Sequence, residues 1–506
     1  MANLDELTSW DADWSGLRVV VTGLGLSGFS AADTLIELGA RVVVVDGNDS
    51  EENRQRADTL RIVGAADVLL GAGNQDVLPL IDGGAPELVV SSPGWSPRQP
   101  LIAAAEEAAI PVWGDVELAW RVRERAGRPT AEWLVLTGTN GKTTTVSMAE
   151  SMLQAAGLRA LAVGNVGTPI LDAIRDPQGF DVLVVELSSF QLHYTHTMSP
   201  QASVVLNIAE DHVDWHGSFD EYRAAKAKIY ERTRVAAVFN VEDPVTMRMV
   251  ENADVVEGCR AIGFTTGVPA RSMVGIAEGL LIDRAYLEDR ANSAIELAAV
   301  NDVGEVPARH NVANALAAAA LVRAHGVPAE AVRDGLLAYQ PGDHRIQAVA
   351  RRGDILWIND SKATNPHAAA ASLGSFRSVV WIAGGLSKGV DYHRIVADNA
   401  ERLRAVVLIG VDTTGLREAL REHAPDVPVL ATSVGDTGGA GPAGSHSVSG
   451  TAVMAQAVDL AAEAAQPGDT VLMAPAAASM DQFTSYAQRG NAFMEAVREL
   501  MERPES

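Results

Sequence analysis

The feature that most constrains this chain is a unit that keeps restarting: a short Val/Ile/Leu run, a loop of small residues, then a helical stretch. LRVVVTG leads into GLGLSGFSAADTLIELG, RVVVVDGN follows, and ELVVSSPG comes later. Repetition of this kind builds a parallel sheet with helices on both faces, because parallel strands can be joined only by long crossovers. The rhythm starts again at EWLVLTG, continuing through RALAVGN, FDVLVVELSSF and ASVVLNI. It starts a third time after AYQPGDHR, with DILWINDSK, SVVWIAGG, RAVVLIG and DTVLMAP. Three starts in 506 residues predict three α/β domains, over residues 1–128, 129–345 and 346–506. RERAGRPTAEW (123–133), polar with Gly and Pro, is read as a linker, and DTGGAGPAGSHSVSG (436–450) as a flexible surface loop.

Charge and cysteine content narrow the function classes. A net charge of −25 argues against broad binding to nucleic acid or a membrane surface, which needs basic patches. Anionic ligands would have to be held by local backbone N–H groups and a few Lys or Arg. The single cysteine, Cys259, excludes an internal disulfide and reads as a small buried residue in a reducing compartment. The opening MANLDELTSWDADWSG has no cationic and apolar leader pattern, and runs such as VVVVD and VVLIG are too short to span a membrane. A cytoplasmic protein is expected.

Two glycine-rich loops stand where strands give way to helices. GLGLSG (23–28) follows LRVVV, and Asp46 closes the next strand, as in a dinucleotide fingerprint with an acid near a ribose. TGTNGKTTT (137–145) departs from the usual P-loop spacing: Leu136 occupies the place of the early Gly. Its N–H groups at Gly138, Thr139, Asn140, Gly141 and Thr144, with the helix dipole, still face one anionic site. Lys142 would neutralise β- and γ-phosphates and the Thr143 hydroxyl would reach a Mg²⁺. Glu186, ending the strand FDVLVVE, is the candidate metal-binding acid, although ELSSFQL also offers Ser188 or Ser189 as helix caps. His212 follows another strand end among Glu210, Asp211, Asp214 and His216, and is the candidate for a second metal. Lys226 lies on FDEYRAAKAKIYE, whose register alone makes it a solvated surface lysine. In the third domain Lys362, Lys388 and Ser479 sit after strands, where open α/β sheets bind ligands.

GTNGKTTT, ELSSFQL, EDHVDWH, YRAAKAKIYE, HNVANALAA, the His344–Arg345 pair, NDSKATN and SMDQF…QRGN occur in this order. Together they resemble the Mur ligases over about residues 17–495, and DSKATN with SSPG resembles the D-glutamate-adding branch. The resemblance implies a Rossmann-like first domain, a central P-loop ATPase-like domain and a Rossmann-like third. It implies an ATP-dependent ligase of cell-wall precursor synthesis that makes an amide through an acyl phosphate. Its implied substrates are ATP, UDP-N-acetylmuramoyl-L-alanine and D-glutamate, with Mg²⁺ at two sites or Mn²⁺ in its place, in a monomer.

By the same resemblance Lys142, Glu186, His212 and Lys226 are catalytic, and Lys226 is the family lysine that is carbamylated and joins Thr143, Glu186 and His212 at the metals. Asn311, Asn314, Arg345 and Asp360 match ATP contacts. Leu26, Ser27, Asp46, Gly94 and Asn165 match the UDP-substrate site. Lys362, Thr364, Lys388, Ser479 and Tyr486 match the D-glutamate site, Tyr486 standing where the family often has Phe. A P-loop in one domain and ATP contacts in another imply that the third domain rotates inward on binding. Three alternatives remain open at this point. A sister ligase would add another amino acid, an NAD-dependent oxidoreductase would use GLGLSG and Asp46, and a nucleotide-binding scaffold would lack turnover.

Overall fold

The computed structural model describes residues 3–165, 167–304, 307–386, 389–432 and 450–503. Lys388 and residues 436–449 of the glycine-rich loop lie outside them; Gly450 opens the helix Gly450–Ala464. Each restart of the sequence rhythm becomes a sheet. The first has five parallel strands in the order Asp67–Leu70, Arg41–Asp46, Arg18–Thr22, Leu88–Ser91, Val112–Gly114. Val19, Val20 and Val21 are fully buried, as expected of strands covered on both faces. The order reverses between Arg18–Thr22 and Leu88–Ser91, and that switch point is where a doubly wound sheet opens a crevice for ligands.

The second sheet has nine strands, with Glu132–Thr137 central between Ala202–Val205 and Val182–Glu186. Four of these strands are expected from their apolar runs. An additional edge is not: Met273–Ala277 joins parallel to Arg260–Phe264, and Leu280–Asp283 and Ile295–Ala299 then follow antiparallel. The first two form a hairpin closed by Glu278 and Gly279, both at positive φ, which suits a two-residue turn. Ala236–Asn240 and Arg260–Phe264 bridge this edge to the centre. The third sheet runs Gln347–Arg352, Ile355–Asn359, Thr470–Met473, Val379–Gly384, Leu403–Ile409, Val429–Ala431, and only its first pair is antiparallel.

The chain divides into two compact units: residues 1–303 with 313–339, and 304–312 with 340–506. The first therefore contains both the five- and nine-stranded sheets, held together in part by the ion pairs of Arg175 with Asp33 and Glu37. The described residues 123–131 form no helix or strand, but the 123–133 stretch read as a linker ends inside the strand Glu132–Thr137, where Trp133 is buried. Cys259 departs from expectation: it is only half-buried, although burial still raises its thiol pKa and keeps it protonated. Among the described residues no helix is long and apolar enough to cross a membrane.

Candidate active site

The P-loop connects the central strand Glu132–Thr137 to the helix Lys142–Ala155. Gly141 sits at φ 85°, and a Cβ there would come within 2.4 Å of Asn314 Oδ1. Asn314 thus packs on the loop at the one position where glycine leaves room. The loop is also pinned from the neighbouring strand's end. Asn140 N–H donates to Asn207 Oδ1 (2.9 Å), and Asn207 Nδ2 donates to the Asn140 carbonyl (3.0 Å). Thr139 Oγ1 lies 2.8 Å from the Tyr222 hydroxyl and accepts from the Ala209 N–H at 2.9 Å. Nothing in the sequence singles out Asn207 or Tyr222 as loop supports; only the fold shows that they hold it.

Two lysines converge on this loop. Lys142 Nζ donates to the carbonyls of Gly138 (3.0 Å) and Thr139 (3.1 Å), and Lys226 Nζ donates to Gly138 O (3.0 Å) and Thr137 Oγ1 (3.1 Å). Lys226 is 2% exposed, which corrects the surface position read from its helix register. The register locates a residue on its own helix and is blind to what packs against it. Here the partner is the end of a strand 88 residues distant in sequence. Burial, and then the neighbouring Lys142 charge, lower the Lys226 pKa well below the usual lysine range, while Asp211 and Glu186 act in the opposite direction.

Glu186 ends its strand 1% exposed. Its Oε1 accepts from Asn165 Nδ2 at 3.1 Å, and its Oε2 is buried with no partner among the described residues. A buried carboxylate oxygen left bare is costly unless a cation or donor completes it. The donor set here fits a divalent ion: Glu186 as an anionic oxygen, Thr143 in the first turn of the P-loop helix, and His212 from the next strand's loop. Ser188, not Glu186, takes the capping role, accepting from Gln191 N–H at 3.2 Å. His212 has φ 52° and packs on Phe190 with ring centroids 4.8 Å apart; burial first, against Asp211, lowers its pKa and favours the neutral ligand form. Thr144 is buried in the same first turn.

At the switch point of the first sheet Asp46 does not stand free. Its carboxylate accepts from the N–H groups of Leu24 (2.6 Å) and Asn48 (2.7 Å), bracing the GLGLSG loop. A Cβ on Gly28 would lie 1.9 Å from Gly23 O, so only glycine lets the helix start this close to the strand. Leu26 is 64% exposed, Gly94 is exposed, and Ser27 hydrogen-bonds the buried Asp115. Ser92, in the SSPG motif, has a buried hydroxyl with no partner among the described residues.

In the second unit Asp360 is buried and accepts from the Ile346 N–H (3.3 Å) and the Ser372 hydroxyl; burial raises its pKa to about 6. Arg345 is half-buried between His344 and Ile346, both at positive φ, which is rare for a β-branched residue. Asn311 belongs to this unit, and its N–H donates to Ala308 O at 2.8 Å. Lys362 Nζ stands 3.8 Å over the Tyr486 ring, Thr364 N–H donates to Lys362 O, and Ser479 is buried. Arg489, in the QRGN motif but not a site residue by sequence, ties these loops together. It donates to Ser361 Oγ (3.1 Å), Ser361 O (3.0 Å) and Ala477 O (3.1 Å), and burial lowers its pKa to about 10.

Three family models match successive stretches of the chain. The Mur ligase MurD-like N-terminal domain matches residues 17–114, the Mur ligase middle domain residues 136–322, and the Mur ligase glutamate ligase domain residues 344–477. The UDP-N-acetylmuramoylalanine–D-glutamate ligase of Streptomyces coelicolor is 53% identical over 97% of this chain and 99% of its own. That of Leifsonia xyli is 52% identical over 98% and 95%. Among solved structures, a pseudomurein peptide ligase type C from Methanothermus fervidus is 18% identical with a TM-score of 0.55, covering 96% of this chain and all (100%) of that one, a likeness of fold.

Proposed function

The chain belongs to the Mur ligase family, and we propose that it joins D-glutamate to UDP-N-acetylmuramoyl-L-alanine with ATP, in peptidoglycan precursor synthesis. The observation that carries the chemistry is the meeting of Lys142 and Lys226 on Gly138 O. A carboxylate is a poor electrophile. Its oxygen must first displace ADP from the γ-phosphorus, forming an acyl phosphate. The D-glutamate amine, having lost its proton, then adds to the carbonyl, and the tetrahedral intermediate expels phosphate. Both steps crowd anionic oxygens together, so preorganised positive charge is the main demand on the protein.

In this reading residues 138–144 hold the β- and γ-phosphates, the first-turn N–H groups of the helix Lys142–Ala155 face them, and Lys142 leaves the loop carbonyls to meet the γ-phosphate. Asn311, Asn314, Arg345 and Asp360 complete the ATP site. Mg²⁺ or Mn²⁺ at two sites would be held by Thr143 and Glu186, and by His212 with a carbamylated Lys226; the ions would offset charge between carboxylate and phosphate. The lowered Lys226 pKa supports carbamylation, since only the neutral amine adds CO₂. Leu26, Ser27, Asp46, Gly94 and Asn165 bind the UDP substrate. Lys362, Thr364, Lys388, Ser479 and Tyr486 bind D-glutamate. The working domains are 1–128, 129–345 and 346–506, acting as a cytoplasmic monomer.

Phosphate release from ATP, measured with the UDP substrate across candidate amino acids, tests the reading. D-Glutamate should be the amino acid that supports turnover. Release with L-alanine or a diamino acid in its place would assign a sister reaction, and release with none would end the proposal.

A further inference from the structure

On the C-terminal unit two helices bring three metal-binding side chains together. His393 opens the helix His393–Asn399, and Glu422 and His423 close the helix Thr414–His423. His393 Nδ1 lies 3.1 Å from His423 Nε2 and 3.3 Å from a Glu422 carboxylate oxygen, and His423 Nε2 lies 3.8 Å from the other. These edges bracket the roughly 3.3 Å separating ligand atoms on a tetrahedral ion with bonds of about 2.0–2.1 Å. Two imidazole nitrogens so close must share a proton or an ion, since two bare lone pairs repel. The rings stand perpendicular, with centroids 5.2 Å apart, so they converge by their edges and do not stack.

The backbone under the three side chains is held firmly. His393 N–H donates to Asp391 Oδ1 at 2.9 Å, and Tyr392 before it is buried. Beneath the other helix, Leu416, Ala419 and Leu420 are buried in the core, and Ala424 N–H caps Leu420 O at 2.8 Å. Ligands on anchored helix ends give a site its precision. Glu422 is 61% exposed at its side chain, leaving room for water or an exogenous ligand at a fourth position.

We propose that His393, Glu422 and His423 form a binding site for one borderline divalent transition ion of the Zn²⁺ class, clipping the start of one helix to the end of the next. Two imidazoles with one carboxylate select such an ion over Mg²⁺, which prefers oxygen ligands. The site shares no residue with the Glu186 and His212 ligands of the ligase reaction.

The test titrates chelator-treated full-length protein with Zn²⁺ by calorimetry, and with Co²⁺ by visible absorption. Wild type should take up one more equivalent than His423→Ala or His393→Gln, and should gain thermal stability with Zn²⁺ that these variants lack. Glu422→Gln should bind at this site about tenfold or more weakly. Mg²⁺-supported ligase turnover, unchanged in all three, reports that the variants are folded. Equal Zn²⁺ stoichiometry in wild type and both histidine variants, or displacement of that equivalent by equimolar Mg²⁺, would overturn the proposal.

Discussion

The two glycine-rich loops begin alike, strand then turn then helix, and end as different instruments. In the first, Arg56 donates to the Leu24 carbonyl at 3.0 Å while also pairing with Glu52 at 2.7 Å. Its charge is matched and partly exposed, and Asp46 takes the loop's Leu24 N–H. In the second, Lys226 has no carboxylate within ion-pair distance among the described residues, is buried, and is driven toward its neutral form beside the charged Lys142. Under the proposed function, the lesson is that a loop that would only hold a diphosphate can neutralise its charges internally. A loop where a phosphoryl group moves keeps them unbalanced, so that ligands complete them.

Breaking the second loop should do the most damage. Lys142→Ala should lower the rate of phosphate release about 10²–10³-fold with little change in folding, read by turnover and by circular dichroism. A loss under about tenfold would make the two loops equivalent. Lys226→Met should remove turnover comparably and should also flatten a stability profile. Burial lowers the pKa of this amine in the native state, so at pH values between the native and unfolded pKa the unfolded chain binds more protons. In CO₂-free buffer wild-type stability should therefore rise with pH between the lowered native value and the ordinary lysine range, and fall as pH drops, relative to Lys226→Met. Parallel urea profiles of the two proteins would remove the buried-amine premise.

The first loop is vulnerable sterically rather than electrostatically. Gly28→Ala should destabilise by about 1–3 kcal/mol in urea unfolding, because its Cβ has no room against Gly23 O. Arg56→Ala should have the smallest effect, raising KM for the UDP substrate by less than about tenfold with kcat unchanged. A fall in kcat instead would mean the first loop takes part in the chemistry.

Much of this frame was legible in the sequence, for physical reasons that also mark where legibility stopped. Buried parallel strands need continuous apolar runs, so every strand ending in a quoted motif could be read. The hairpin at Glu278–Gly279 escaped because its strands MVGIA and LLID are short and half-exposed, without clean alternation. Glu186 could be read because a strand end fixes where its side chain emerges. The burial of Lys226 and the bracing of Asn140 by Asn207 could not, since each depends on residues far apart in sequence (88 and 67 positions) meeting across neighbouring strands. Arg489 hid for the same cause: an arginine on an amphipathic helix reads as surface until three loop groups are found waiting for it.

The Oε2 of Glu186, buried with no partner among the described residues, ties the stability of the fold to whatever cation meets it. A buried carboxylate oxygen without a partner costs stability, and any cation that binds there and not to the unfolded chain stabilises the fold by RT ln(1 + [L]/Kd). In the proposed reading, protein with its ion bound there would resist local unfolding and proteolysis longer than the same chain without it.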